Sequence, residues 1–148
     1  MTEINDVVRF GPAGNSDSFY EQGYKSSVDM PKWLHDMGLT AYEYACTHGV
    51  NIGEDTARAI GQEALRLDIA PSVHAPYYIN LVTKDEDKRA KTKKHIMDSL
   101  KAARWMGAKR VVFHPGSCSK MDRRMALDIA IDFLKEIIDE AGEFIEEG

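Results

Sequence analysis

Residues 109–119 read KRVVFHPGSCS and decide the fold class of this chain. The apolar run Val111–Phe113 favours a buried strand, and the histidine, proline and glycine that follow prevent that strand from continuing. A second segment has the same form. Residues 70–81 read APSVHAPYYINL, and their apolar run ends at His74 before a proline-containing turn. The sequence therefore predicts two strands that each end on a histidine.

The remaining segments alternate between strand-like and helix-like patterns. Short apolar runs predict two further strands, one over Val7–Phe10 and one near Ala41–Cys46, and a loop rich in glycine and proline stops the first. Apolar residues at helical spacing predict helices over 27–38, 51–68, 85–106 and 121–144.

The helix boundaries have recognisable signals. Asn51 and Glu54 stand at the spacing of a capping box, and Leu65 falls on the apolar face of the helix that they would begin. Gly107 is positioned to end the third helix. The apolar pattern of the last helix continues without a break to Phe144.

Four strand–helix units predict an α/β fold with a parallel sheet. They are enough for a small open sheet, or for a (βα)4 half of a TIM (β/α)8 barrel, which needs roughly 250 residues when complete. The 148 residues form one domain in either case. Ligands of such folds lie at the carboxyl ends of the strands, where both histidines are expected.

Composition restricts the functional class and the compartment. The formal net charge of −5 argues against nucleic acid, although residues 84–110 hold ten of the nineteen basic residues, a distribution typical of solvated helix faces. Two cysteines in unlike contexts argue against a disulfide framework. No signal peptide or membrane-spanning run is visible, so we expect a cytoplasmic protein without membrane contact.

His74 and His114 stand 40 residues apart at equivalent points of successive strands. Adjacent parallel strands lie about 4.8 Å apart, so two imidazoles at matching ends could share one metal ion. Either histidine alone would more often be a hydrogen-bonded loop residue, but the pair in register favours a metal site. Two nitrogens do not complete a catalytic zinc site, which usually has three protein ligands.

Other residues near these strand ends have either a functional or a purely structural interpretation. Glu43, on the second strand, is a candidate site carboxylate or a polar group paired inside the sheet. Tyr77 and Tyr78 could stack on a base or sugar, or could cover the rim of the sheet. Cys118 lacks paired-thiolate spacing and is expected to be a free cysteine. His35, His48 and His95 are expected at the surface.

Three segments, VRFGPAG, SVHAPYYINL and VVFHPGS, resemble the endonuclease IV family (AP endonuclease family 2) of the xylose isomerase-like barrel superfamily. The resemblance runs from about Val8 to the C-terminus and implies a barrel that binds up to three zinc ions, with manganese as an alternative. It implies that His74 and His114 are metal ligands, and that Tyr77 contacts DNA near an abasic site. Glu43 matches a second-strand acid of unassigned role. The resemblance implies no catalytic residue beyond the metal ligands.

The implied function is metal-dependent hydrolysis of DNA 5′ to an abasic site, in base excision repair. The family's further ligands follow on strands five to eight, which these 148 residues do not contain. We therefore expect an N-terminal half, truncated before strand five and inactive or incomplete alone. The alternatives are a metal-dependent sugar isomerase or epimerase of the same superfamily, and a non-enzymatic half-barrel that dimerises through its open Val8-side and Val111-side edges.

Overall fold

A computed structural model of the chain describes residues 8–145. Residues Ser27–Asp29 form a 3₁₀ turn. The elements in chain order are α1 (Asp17–Glu21), α2 (Met30–Asp36), β1 (Ala41–Ala45), α3 (Glu54–Arg66), β2 (Ala70–His74), α4 (Glu86–Met106), β3 (Val111–Val112), α5 (Arg123–Glu140) and α6 (Gly142–Ile145).

The three strands form one parallel sheet in the order β1–β2–β3. Ala45 of β1 lies opposite His74 of β2, which in turn lies opposite Val112 of β3. A helix follows each strand, so the predicted α/β class is confirmed. Consecutive order and parallel direction are the features of part of a (β/α) barrel.

The strand predicted over Val7–Phe10 is wrong in its bounds. Val7 lies outside the described residues, and residues 8–10 form no regular strand. The pairing falls later, at a single parallel bridge between Ala13 and Glu43. Gly11 approaches β1 so closely that a Cβ would lie 1.6 Å from the carbonyl oxygen of Ala41, and Pro12 has no N–H, so a regular ladder cannot form. Residues 10–14 thus occupy a fourth strand position beside β1.

Two predictions for α3 are wrong, one for its boundary and one for its apolar face. Gly53 is the N-cap of α3 and no side chain caps that helix, so Asn51 and Glu54 form no capping box. Leu65 is 84% exposed, because the buried face of α3 is centred on Ala57, Ile60 and Ala64.

The ends of the last two long helices differ from each other. Gly107 ends α4 in the left-handed conformation, as predicted, with φ of 68°. The final helix does not run unbroken to Phe144. It stops at Glu140, and the short helix α6 follows after Ala141.

The core lies on the helix side of the sheet. Tyr42 and Val73 point into it and are buried with residues of α2, α3 and α4. A second cluster joins α5 to the loop after β2 through Phe133, Ile137 and Leu81. Because strand side chains alternate, the opposite face carries the residues of the other parity, including His74. None of the helices within residues 8–145 combines the length and apolarity needed to cross a membrane.

Candidate metal centre

The structure brings His74 and His114 together. His74 is the last residue of β2, and His114 follows β3 by two residues. Val112 lies opposite His74, and His114 shares the parity of Val112, so both imidazoles project from the same sheet face. Their ring centroids are 5.2 Å apart, with 49° between the planes. This separation lets two imidazoles approach one cation.

A backbone carbonyl orients the ring of His74. Its Nδ1 lies 2.9 Å from the carbonyl oxygen of Ala75. A carbonyl oxygen only accepts hydrogen bonds, so Nδ1 carries the proton and Nε2 of the neutral ring keeps its lone pair. Ala75 is itself buried and donates its N–H to the carbonyl of Val112 at 2.8 Å. Metal-binding histidines commonly have such a partner, which sets both tautomer and ring orientation.

The loops after β2 and β3, which follow the two histidines, contact each other. The N–H of Leu81 donates to the carbonyl of Pro115 at 2.8 Å. Gly116 has a φ of 105°, and a Cβ there would lie 2.4 Å from Oδ1 of Asn80 and 2.9 Å from its Cα. Asn80 also accepts from the N–H of Val82 at 3.0 Å. Sequence reasoning missed Asn80, although an asparagine that bonds two residues onward is a known turn signal.

The structure does not gather a third ligand around the histidines. Within residues 8–145, no group of three or more His, Cys, Asp or Glu side chains could hold a metal ion. Glu43 is half-buried, shares the sheet face of His74 and lies opposite Ser72, two residues before the ends of β1 and β2. Neither Glu43 nor Cys118 therefore completes a three-ligand group here, and the role of Glu43 stays a prediction.

Both cysteines are free. Cys46 is buried just after β1, and burial raises the pKa of its thiol to about 11. A thiol that resists ionisation is a poor metal ligand, because the thiolate is the binding form.

Two adjacent tyrosines flank the pair in different ways. Tyr77 is 57% exposed, and its ring lies 6.1 Å from the His74 ring at 63°. The Tyr78 hydroxyl instead lies 3.1 Å from Nδ1 of His48, in hydrogen-bond contact. The exposed Tyr77 ring therefore lies directly beside the His74 ring. The link from His48 to Tyr78 was missed, because nothing in the sequence signals a contact across 30 residues.

The other two histidines lie away from this site. His35 is exposed on α2, as predicted, whereas His95 is half-buried on α4.

These features define a class: a parallel α/β protein of the barrel type, with candidate ligands at the carboxyl ends of its strands. The model of the family described as Xylose isomerase-like TIM barrel matches residues 31–145, and the chain belongs to this family.

Sequence relatives include nuclease-like proteins. The chain is 46% identical over 57 residues to a probable endonuclease 4 of Mycoplasmoides gallisepticum, a match that covers 38% of this chain and 19% of that protein. It is 32% identical over 130 residues to an uncharacterized protein of Methanocaldococcus jannaschii, covering 88% of this chain and 45% of that one. The chain thus spans less than half the length of these relatives.

Solved structures share the fold. Endonuclease IV from Thermus thermophilus superposes with a TM-score of 0.53 at 23% identity, over 78% of this chain and 44% of that one. A D-psicose 3-epimerase superposes with a TM-score of 0.66 at 16% identity, over 82% and 45%. At these identities the two structures support the barrel fold alone.

Proposed function

We propose that this chain supplies the first part of the metal site of an endonuclease that hydrolyses DNA 5′ to abasic sites, in base excision repair in the cytoplasm. The observation that carries the proposal is the proximity of His74 and His114, with ring centroids 5.2 Å apart, beside the exposed Tyr77. The endonuclease 4 relatives support this chemistry over others of the barrel superfamily.

The donor set fits a divalent ion of the zinc type. Imidazole nitrogen is a common zinc ligand, and the Nε2 of His74 is left free by its backbone hydrogen bond. His74 and His114 would hold the ion, with manganese as an alternative. Such an ion, when bound, supplies Lewis-acid activation of water and neutralises charge on a phosphate. Two histidines do not complete the coordination, so we expect the 148 residues to be inactive or incomplete alone.

In this proposal, Tyr77 contacts the nucleic acid. An exposed aromatic ring can stack on a base or sugar, and an abasic nucleotide is extruded easily because it has no base to unstack. The Tyr77 N–H donates to the carbonyl of Thr47 at 3.0 Å, so its backbone is held while the ring stays exposed.

Zinc titration by calorimetry tests the metal site. Substitution of either histidine, His74→Ala or His114→Ala, should weaken zinc binding at least about tenfold, because each removes one of the two proposed imidazole ligands. His48→Ala is the matched control: its ring contacts Tyr78 instead, and zinc affinity should be unchanged. Equal zinc affinity in all three variants would overturn the site.

Ligand preference tests the reaction class. With zinc or manganese present, fluorescence anisotropy should show tighter binding of a duplex with one abasic site than of an intact duplex, and Tyr77→Ala should remove that preference. Robust cleavage of the abasic duplex by this polypeptide alone would contradict the expectation that its metal site is incomplete.

The second candidate function is a metal-dependent sugar isomerase or epimerase. The observation in its favour is the net charge of −5, since an acidic chain repels DNA but tolerates a neutral ketose. Metal-dependent binding of a ketose, with no preference for the abasic duplex, would favour this candidate and contradict the nuclease.

A further inference from the structure

Helix α5 carries two apolar stripes, and one of them is exposed. Phe133 and Ile137 are each 1% exposed and pack into the second core cluster. Leu127, Ile131 and Ile138 are 58%, 41% and 46% exposed. With the half-buried Leu134 they recur at intervals of four, three and four residues, the spacing of a helix face that packs against a neighbour.

The exposed stripe faces away from α4. Glu136 and Glu140 of α5 form ion pairs with Arg89 and Lys93 of α4, at 2.9 and 2.7 Å. Successive residues turn by about 100° around a helix, so the stripe at Ile131 lies roughly half a turn from these glutamates. The stripe therefore lies on the open flank of the molecule.

The outer edge of β3 is also open. The carbonyls of Arg110 and Val112 accept from the N–H groups of Val73 and Ala75, at 3.0 and 2.8 Å. The residues of opposite parity, including Val111, direct their backbone groups to the other side of the strand. Within residues 8–145 no strand pairs with that side.

A second open edge lies at the other end of the sheet. The carbonyl of Phe10 accepts from Thr40 and Ala41, so Gly11 and Ala13 direct their backbone groups away from β1. Neither of these two residues has a strand partner on that outer side among the described residues. Val8 and Phe10 are 72% and 67% exposed at this edge.

We propose that two copies of this polypeptide close the sheet into a ring. The β3 edge and α5 stripe of one copy would cover residues 8–13 of the second copy, and the same contact would recur on the opposite side. Contacts between two different surfaces form a closed ring when the rotation permits. Each copy provides four strand positions (residues 10–14, β1, β2 and β3), and a (β/α) barrel closes at eight.

The number of strand positions and the apolar side chains at both edges support a second copy of this chain as the partner that covers them. The chain covers 48% and 45% of two solved proteins that share its fold, and two copies would provide the eight strand positions of a closed barrel. Exposed strand edges pair readily with other strands, and here each edge adjoins exposed apolar side chains. All strands run parallel in such a ring, so both histidine pairs would lie at one rim. The assembly does not depend on what the histidines bind.

Equilibrium sedimentation of the 148-residue polypeptide tests the assembly. The expected species is a dimer of twice the 16.6 kDa chain mass. Ile131→Lys and Phe10→Asp should each raise the dissociation constant at least about tenfold, because each places a charge in both contacts. Leu65→Lys is the matched control, since Leu65 is 84% exposed on α3 and lies at neither edge, and it should stay dimeric. Circular dichroism should show each variant folded.

Mixing the two edge variants distinguishes the ring from other dimers. In a dimer of one Phe10→Asp copy and one Ile131→Lys copy, one contact carries both substitutions and the other is unaltered, so the mixture should recover dimer. A dimer of α5 stripe against α5 stripe would tolerate Phe10→Asp and show no recovery, which would overturn the ring. A monomeric wild-type polypeptide, or polymers larger than a dimer, would overturn it as well.

Discussion

The ends of β2 and β3 each present a histidine, but the two ends are built differently. β2 has five residues and a neighbouring strand on both sides, whereas β3 has two residues and a neighbour on one side. His74 is half-buried and its Nδ1 donates to Ala75, whereas His114 is exposed and makes no side-chain hydrogen bond within residues 8–145.

His74 is therefore the preorganised candidate ligand, whereas the position of His114 depends on the packing of the loop and helix that follow it. His74 ends β2, and β2 is hydrogen-bonded to β1 on one side and to β3 on the other, so the backbone at His74 is fixed from both sides. The position of His114 depends on the turn at Gly116 and on α5, whose outer flank is exposed. Regions with few buried contacts open first, so the β3 side should be the less stable part of the site.

Removal of the buried Phe133 side chain of α5 should increase the difference in stability between the β2 and β3 ends. Phe133→Ala deletes a ring that is 1% exposed and packs against the guanidinium of Arg89 at 3.7 Å. The free energy of unfolding should fall by about 3–5 kcal/mol. Amide hydrogen exchange should accelerate more in β3 and α5 than in β2. Met125→Ala, on an exposed position of the same helix, should change stability by less than about 0.5 kcal/mol. Uniform acceleration across the sheet would contradict the contrast.

A smaller effect is expected at the turn that positions His114. Gly116→Ala combines a positive φ with overlap onto Asn80, and should lower the free energy of unfolding by about 2–4 kcal/mol. Zinc affinity should fall with it. Gly107→Ala also has a positive φ, but nothing lies within 4 Å of its Cβ position, so we expect about 1–2 kcal/mol and unchanged zinc affinity. Urea denaturation and calorimetry measure both. Equal losses in the two variants would show that contact with Asn80 is unimportant.

The smallest effect concerns the cysteines that follow β1 and β3. Burial raises the pKa of Cys46 to about 11, whereas an unfolded thiol ionises near 9.0. The folded state therefore favours the neutral thiol, and this contribution is complete below pH 9 and is lost as the pH rises towards 11. By pH 10 wild-type stability should have dropped about 1 kcal/mol more than that of Cys46→Ala, measured by urea denaturation.

The rates of thiol labelling measure independently how accessible the two cysteines are. At pH 8, Cys118, half-buried in the loop after β3, should react faster than the buried Cys46 with a thiol reagent. Faster labelling of Cys46 would mean that the β1 end opens more readily than the β3 end.

Local signals were sufficient for much of the fold. The parallel α/β class followed from apolar runs that end at glycine and proline, and the end of α4 followed from Gly107, because both depend on neighbours in the chain. The juxtaposition of the histidines followed from the shared position of His74 and His114 at strand ends. Alternation and parallel pairing place such residues on one face whatever else surrounds them.

Other features depended on contacts between distant segments. The first strand position moved from Val7–Phe10 to a bridge at Ala13, because Gly11 packs directly against the backbone of Ala41. Leu65 became exposed because the neighbours of α3 cover a different arc of that helix. Neither outcome has a signature within a window of ten residues.

The amino-acid sequence by itself determined that one histidine lies at the end of β2 and another just after β3, since chain-local sterics and hydrophobic periodicity set where these strands stop to within a few residues. Tertiary structure alone decided the 5.2 Å approach of the rings and the exposed flank of α5. These depend on packing between elements dozens of residues apart, where distances of a few ångströms decide whether two groups meet.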